Sequence, residues 1–157
     1  MGLRIREILI AIPNNRTKFS LHFQFLQALQ GEHSFPLPDM ILKVENIVYN
    51  ELLIRGYNVD VGIVEVYAKN DEGKTTRKQF EVDFVANQGS QRYYIQVAYD
   101  MTSEEKQKQE FNSFRNIPDS FKKIVVVNGT KKPWRNEEGF VIMGMKYFLL
   151  NADSLEF

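Results

Sequence analysis

Two short segments of the chain carry polar side chains within apolar, strand-like runs, and these polar residues are the best placed for chemistry. Glu81 and Asp83 lie in the first segment, and Gln96 lies in the second, after a Gly/Ser turn. Buried carboxylates cost free energy unless they are hydrogen-bonded, paired with a cation or bound to a metal. Oxygen ligands at the ends of adjacent strands can hold Mg²⁺ or Mn²⁺, which would activate water for phosphodiester hydrolysis. The pattern therefore indicates a metal-nuclease arrangement.

That arrangement needs a lysine two residues after the second-strand acid, to stabilise the charge that develops on the phosphoryl group. Here Gln96 replaces the acid and Ala98 stands at the lysine position. Glutamine can still offer a neutral oxygen to a metal, but alanine cannot replace an ammonium group. Lys106 and Lys108 follow on a predicted helix and are candidates for a migrated lysine, although their polar stretch is typical of a solvated surface. We therefore expect weak or absent catalysis and weak or absent Mg²⁺ or Mn²⁺ binding.

A third acidic residue, Glu45, lies on a predicted helix over Met40–Arg55. At 100° per residue it falls in the middle of the apolar stripe of that helix, where a carboxylate needs a partner. Glu45, Glu81 and Asp83 are therefore the candidate metal ligands, and Glu45, Asp83 and Gln96 the candidate catalytic residues. A simpler interpretation is that Glu45 reaches a backbone amide or an arginine. Glu81 and Asp83 could likewise face solvent or pair with nearby basic residues, namely Arg77, Lys78 or Arg92.

Strict alternation along each strand predicts which residues share a face. In the first segment it places Phe80, Val82, Phe84 and Ala86 on one face and Glu81, Asp83 and Val85 on the other. In the second it places Tyr94, Gln96 and Ala98 on one face and Ile95, Val97 and Tyr99 on the other.

The order of predicted elements is helix, three strands, helix, strand, which indicates an α/β fold with a mixed sheet flanked by helices. Asp39 is the expected N-cap of the first helix and Gly56 its C-terminal glycine. Thr102 and Glu105 form a predicted capping box for the second helix. A further helix is expected upstream, over residues 19–29. The predicted strands cover 57–68, 79–86, 92–99 and 124–127, and the tail 140–150 is expected to form a strand and a short helix.

Composition narrows the class of protein. The chain has 157 residues, enough for one domain, and its 20 basic residues balance its 20 acidic residues, so binding to nucleic acid would need a local patch. It has no cysteine, which excludes disulfides, thiolate zinc sites and a cysteine nucleophile. Its short apolar runs predict no membrane partner, and we expect a cytoplasmic location.

One basic, aromatic segment is a candidate nucleic-acid contact. Lys131, Lys132 and Arg135 surround Trp134, and cations around an aromatic ring can bind phosphates and stack on a base. The simpler interpretation is a solvated turn in which Trp134 packs onto the core.

Several of these motifs together resemble a known family. The runs Val44–Tyr57, Val59–Gly62, Glu81–Ala86 and Tyr94–Val97 are similar to the domain of unknown function at the C-terminus of many prokaryotic AAA-like ATPases, over roughly residues 19–155. That domain is similar in fold to the PD-(D/E)XK, or restriction-endonuclease-like, nucleases and the archaeal Holliday-junction resolvases. The resemblance implies an αβββαβ core. It also places Glu45 at the helical acid, Asp83 at the central aspartate, Gln96 at the (D/E) position and Ala98 at the lysine.

The resemblance further implies partners and domain limits. An upstream phosphate-loop ATPase module is the expected partner, because this chain contains no G-x-x-x-x-G-K-[ST] motif of its own. We assign residues 1–38 to an N-terminal extension or remnant of the preceding region, and 39–157 to the nuclease-like domain. The leading hypothesis is a catalytically weakened binding or regulatory module. The alternatives are a divalent-metal-dependent DNA endonuclease, and a structural or oligomerisation domain that forms homo-oligomers.

Overall fold

The computed structural model describes the backbone of residues 3–6, 37–69 and 74–157, and side chains from residues 44–68 and 74–157. The helix predicted over residues 19–29 lies outside these ranges. The helices are α1 (Leu37–Ile54), α2 (Glu104–Arg115) and α3 (Met145–Leu150), followed by a 3₁₀ turn over Ser154–Glu156. The strands are β1 (Leu3–Arg6), β2 (Asn58–Lys69), β3 (Thr75–Gln88), β4 (Gln91–Ala98), β5 (Lys122–Val127), β6 (Trp134–Arg135) and β7 (Val141–Gly144).

The described strands form one seven-stranded mixed sheet in the order β1-β2-β3-β4-β5-β7-β6. Strands β1 to β4 pair antiparallel with their neighbours, β4, β5 and β7 run parallel, and β6 returns antiparallel to β7. The predicted mixed α/β architecture is confirmed, with α1, β2, β3, β4, α2 and β5 in the expected sequence order. Strand β1 comes from the segment that the sequence assigned to the N-terminal extension, and it pairs with β2.

Helices cover both faces of the sheet and create two apolar cores. On one face, α1 and α3 pack over a core that includes Leu52, Phe84, Ile95 and Phe148. On the other face, α2 packs its Phe111 and Phe114 over residues from β2 to β7. Among the described residues, no helix is long and apolar enough to cross a membrane.

A β-bulge interrupts the alternation of β3 and re-aims its side chains. Asp60 pairs with Val85 but Gly62 pairs with Val82, so Asp83 and Phe84 together oppose Val61. As a result, Phe84 and Ala86 face α1, whereas Phe80, Val82 and Val85 face α2. The face prediction for β3 is therefore wrong, because it assumed an unbroken period of two. The prediction for β4 is right: Ile95 and Val97 face α1, and Tyr94 and Ala98 face α2.

Gly62 makes the bulge sterically feasible. A Cβ atom at this position would lie 2.9 Å from Val85 Cγ2 and 3.1 Å from Val82 Cβ, two side chains that the bulge brings to the same face. Any larger residue at position 62 would press against the strand that carries Asp83.

The ends of the helices partly follow the sequence signals. Gly56 has φ +86° and ends α1 in a Schellman motif, in which Tyr57 N–H donates to Leu52 O at 3.1 Å and Gly56 N–H donates to Leu53 O at 3.0 Å. The N-cap predictions are wrong at both helices. Helix α1 begins at Leu37, so Asp39 lies within its first turn.

Helix α2 is capped by Ser103, whose hydroxyl accepts from Lys106 N–H. The predicted cap Thr102 instead donates its backbone N–H and its hydroxyl to Asp100. Thr102 is thus bonded to the Asp100 carboxylate, and the next residue, Ser103, caps α2 instead.

Arg55, at the end of α1, ties this helix to the C-terminal segment. Its Nε binds Glu51 at 2.9 Å, Nη1 binds Ser154 Oγ at 2.8 Å and Ala152 O at 3.2 Å, and Nη2 binds Phe148 O. The guanidinium also lies over the Phe148 ring, 4.5 Å from its centroid. This clamp explains why an arginine precedes Gly56 and Tyr57.

Candidate functional site

Strands β3 and β4 stop pairing next to the bulge, and the Asp83 side chain lies where the ladder opens. The ladder runs from Gln88–Gln91 to Phe84–Ile95 and ends there. Beyond that pair, Asp83 Oδ2 accepts Val97 N–H at 2.7 Å, and Asp83 Oδ1 accepts Gln96 Nε2–H at 3.2 Å. The carboxyl group thus replaces a backbone hydrogen bond and holds the two strands together.

The surroundings of Asp83 favour its neutral form. Burial raises the pKa of Asp83 to about 8, against the opposing effect of the Val97 hydrogen bond, and the charges of Glu45, Glu110 and Glu81 raise it further. At neutral pH this group is therefore largely a carboxylic acid, which can also donate a hydrogen bond.

Two helices on opposite faces of the sheet add Glu45 and Glu110 to Glu81 and Asp83 of β3, and we call these acids together with the Gln96 amide the Asp83 cluster. Burial first, and then the charge of Glu81, raises the pKa of Glu45 on α1. Burial also raises the pKa of Glu110 on α2, with a smaller contribution from Glu45, while a hydrogen bond from Gln96 opposes the shift. The predicted proximity of Glu45 to Asp83 is therefore present in the structure.

Glu110 was not among the residues predicted from the sequence. The sequence does contain a signal for it, because α2 buries Phe111 and Phe114. Glu110 directly precedes Phe111 and lies four residues before Phe114, so it is on the same side of the helix. The polar composition of α2 concealed that buried side.

The partners suggested by the simpler interpretation are engaged elsewhere. Arg77 binds Glu65, and Arg92 donates to Asn87 Oδ1 at 2.8 Å. Glu45 makes no hydrogen bond or ion pair with any residue that the structure describes. The acids of the Asp83 cluster thus face one another without a neutralising cation from these side chains.

Gln96 and Ala98, the β4 residues at the (D/E) and lysine positions of the nuclease motif, face α2. The amide oxygen Oε1 of Gln96 is buried and has no hydrogen-bond partner within the described residues. Ala98 is 2% exposed and packs in the α2-side core. The candidates for a migrated lysine do not fill this position, because Lys106 pairs with Asp100 at 2.7 Å and Lys108 with Glu104 at 3.9 Å.

The Asp83 cluster does not fit a divalent cation in this arrangement. Within the described residues, no group of three or more His, Cys, Asp or Glu side chains is placed to hold a metal ion. Asp83 also has both oxygens in hydrogen bonds, one to Val97 N–H and the other to the Gln96 amide.

The structure separates the members of the candidate nucleic-acid segment. Trp134 and Arg135 form the edge strand β6, so they point to opposite faces of the sheet. Arg135 is engaged with Phe157, donating to its carbonyl oxygen at 2.7 Å and lying over its ring. Trp134 is 48% exposed, so the interpretation that it packs onto the core is wrong. Lys131 and Lys132 are exposed beside it.

Comparison with known proteins identifies the family. A protein of Haemophilus influenzae described as "Uncharacterized protein" is 33% identical over 84 residues, a match that covers 54% of this chain and 17% of that protein. This chain therefore corresponds to a small part of that relative's length. No solved structure matches the chain. The family model described as "Domain of unknown function (DUF4143)" matches residues 43–148, a range that contains the Asp83 cluster and the nucleic-acid candidates, and the chain belongs to this family.

Proposed function

We propose that this domain is a nuclease-like module whose catalysis is lost or weakened, and that it serves as a binding or regulatory domain of an ATPase. Domains of this family commonly lie C-terminal to AAA-like ATPases. The attached ATPase module is the proposed partner, and the PD-(D/E)XK-like relationship is part of the proposal.

The order of elements and the position of Asp83 support a nuclease-like ancestry. A helix, three antiparallel strands, a second helix and a parallel strand follow one another, and Asp83 lies where the second and third of those strands separate. Glu45 reaches the same place from the first helix. Three of the residues that the motif would use therefore lie together around one opening in the sheet: Glu45, Asp83 and Gln96.

The proposed loss of catalysis rests on the side chains around that opening. Asp83 is held by Val97 N–H, Gln96 has no charge, and Ala98 is buried without any group that could stabilise a phosphorane. Removing one electrostatic stabiliser of this kind from an active enzyme costs roughly 10²–10³ in rate. The remaining features suit a scaffold that positions two helices, rather than a metal-activated hydrolase.

Cleavage assays test the proposal directly. We expect the wild-type chain to leave linear, flapped and four-way DNA intact with Mg²⁺ or Mn²⁺. The double variant Gln96→Glu, Ala98→Lys should gain some metal-dependent cleavage, provided that thermal melting shows it to be folded. A lysine at position 98 lies near the end of β4, where its long stem can carry the ammonium out of the apolar core.

The contradicting result is equally clear. Cleavage by the wild type that disappears in Asp83→Ala would show an active endonuclease and overturn the proposal. Lys106→Ala and Lys108→Ala would then show whether a lysine of α2 takes part, with Lys78→Ala on the distant part of β3 as the matched control.

A further inference from the structure

Trp134 belongs to the same transverse row of the sheet as Gln96. Trp134 pairs with Ile142, Ile142 with Val125, and Val125 with Gln96. Residues paired in this way point to the same face, and Ile142 and Val125 lie in the α2-side core. With three strand spacings between β4 and β6, the backbone of Trp134 lies about 14 Å from that of Gln96.

Lys131 and Lys132 precede Trp134 in a loop that is fixed at Lys131, and both are free at their charged ends. Gly144 N–H donates to Lys131 O at 2.9 Å, and Lys146 N–H donates to Gly129 O at 3.1 Å, so the loop after β5 is fixed against the end of β7. A Cβ at Gly144 would lie 2.6 Å from Lys131 N, which shows how closely the loop approaches. Neither Lys131 nor Lys132 has an ammonium contact with any described residue. Their charges are therefore available to a ligand, and ordering each of the two side chains on binding costs about 0.5–1.5 kcal/mol.

We propose that Trp134, with Lys131 and Lys132, binds single-stranded nucleic acid, with a base stacked on the indole and the neighbouring phosphates on the two ammonium groups. This assignment rests on the proposed function, since it names the ligand of the binding module. An exposed indole beside unpaired cations combines the two contacts that single strands offer. A duplex hides its base faces, and an acidic peptide would use the lysines without the ring.

Arg135 is outside this contact, because it faces the other side of the sheet and is held by Phe157. The surface between Trp134 and Gln96 is covered, because Ile142 and Val125 are buried in the α2-side core, so the contact at Trp134 lies at the β6 edge of the sheet.

The chain has one tryptophan, so its fluorescence reports on this contact alone. We expect short oligothymidylate, and its ribo-counterpart in a parallel titration, to quench Trp134 fluorescence in the presence of EDTA. Anisotropy of a labelled oligomer should show about 5- to 100-fold weaker binding for Trp134→Ala, with most of the affinity restored in Trp134→Phe. Lys131→Gln and Lys132→Gln should each reduce the slope of log K against log salt by about 0.7, and Lys78→Gln should not.

Other outcomes would overturn the assignment. Quenching by polyglutamate as strong as by the oligomers would indicate an acidic-peptide surface, and equal or tighter binding of a blunt duplex would exclude base stacking. Absence of quenching would exclude the contact at Trp134 whatever the cleavage assays show. Conversely, Asp83-dependent cleavage would contradict the proposed loss of catalysis, while quenching in EDTA and its persistence in Asp83→Asn would still support the contact.

Discussion

Helix α1 carries a half-buried acid, Glu45, in its middle and is followed directly by a largely buried base, Arg55, and the two have opposite surroundings. Arg55 is satisfied by a carboxylate, a hydroxyl, two carbonyl oxygens and an aromatic ring. Glu45 faces other acids and has no hydrogen bond or ion pair with the described residues. The same helix therefore joins a region in which polar groups are paired to one in which they are not.

The contrast between the partnered Arg55 and the unpartnered Glu45 distinguishes a group that stabilises the fold from one placed for function. A buried charge with a full set of partners holds the fold together, whereas clustered acids without a cation cost free energy. Sites that break the local rules of stability are commonly functional or inherited from a functional ancestor. The Arg55 clamp is accordingly a structural device, and the Asp83 cluster is where function, present or past, is to be sought.

Breaking the clamp should have the largest effect. Arg55 and Glu51 side chains are only 8% and 14% exposed, so Arg55→Ala leaves a buried carboxylate and several carbonyl groups without partners. We expect a loss of about 3–5 kcal/mol in the free energy of unfolding, measured by urea denaturation. The matched control is Arg115→Ala, whose partner Glu138 is 39% exposed, and which should cost less than about 1 kcal/mol. Equal losses in the two variants would show that the clamp is no stronger than a surface pair.

Removing the charge at the opening should stabilise the protein in alkaline solution. Because the folded-state pKa of Asp83 is raised, the stability provided by its neutral form is complete below about pH 4 and is lost as the pH rises to about 8. Asp83→Asn cannot ionise and keeps an oxygen for Val97 N–H, so its advantage over the wild type should be small at acid pH and grow by up to about 1.4 kcal/mol per pH unit between about pH 4 and pH 8.

Urea titrations across this range measure the gain, with Asp100→Asn as the control of opposite sign. Hydrogen bonds from Lys106 and Thr102 lower the pKa of Asp100 to about 2. Asp100→Asn should therefore have a lower free energy of unfolding than the wild type near neutral pH, and this difference should disappear as the pH falls. A gain in Asp83→Asn that does not change with pH would contradict the assigned ionisation.

The smallest effect concerns the balance within the Asp83 cluster. The charge of Glu45 raises the pKa of Asp83 more than that of Glu110 does. Glu45→Gln should therefore lower the pKa of Asp83 more than Glu110→Gln, each by less than about one unit. Carbon-13 titration of the Asp83 carboxyl by NMR would measure both shifts. The reverse order would place α2, rather than α1, as the main electrostatic neighbour.

The sequence predicted the elements better than their side-chain directions. The apolar stripe of α1 and the alternation of β4 are regular, so the helix, its Gly56 terminus and the faces of β4 follow from periodicity. The bulge at Asp83 and Phe84 does not, because it arises from the pairing of β3 with β2 and leaves no pattern in β3 alone.

The candidate site was accessible from sequence only in part. Glu45, Asp83 and Gln96 were singled out by acids and amides within apolar runs, and the structure brings them together. Glu110 was hidden in a polar helix, and the exposure of Trp134 depends on the sheet ending at β6. Both depend on which surface another element covers, and a single element's sequence does not contain that information.

The bulge in β3 also restricts how this domain can change length during evolution. Deleting one residue of the bulge would restore regular pairing with β2 and leave Phe80 and Val82 on the α2 side, whereas deleting one residue elsewhere in β3 would turn the side chains on one side of the deletion to the opposite face. The bulge is therefore the place in β3 where one residue can be lost without changing the faces of its neighbours, although losing Asp83 would also remove the carboxyl that holds Val97 N–H.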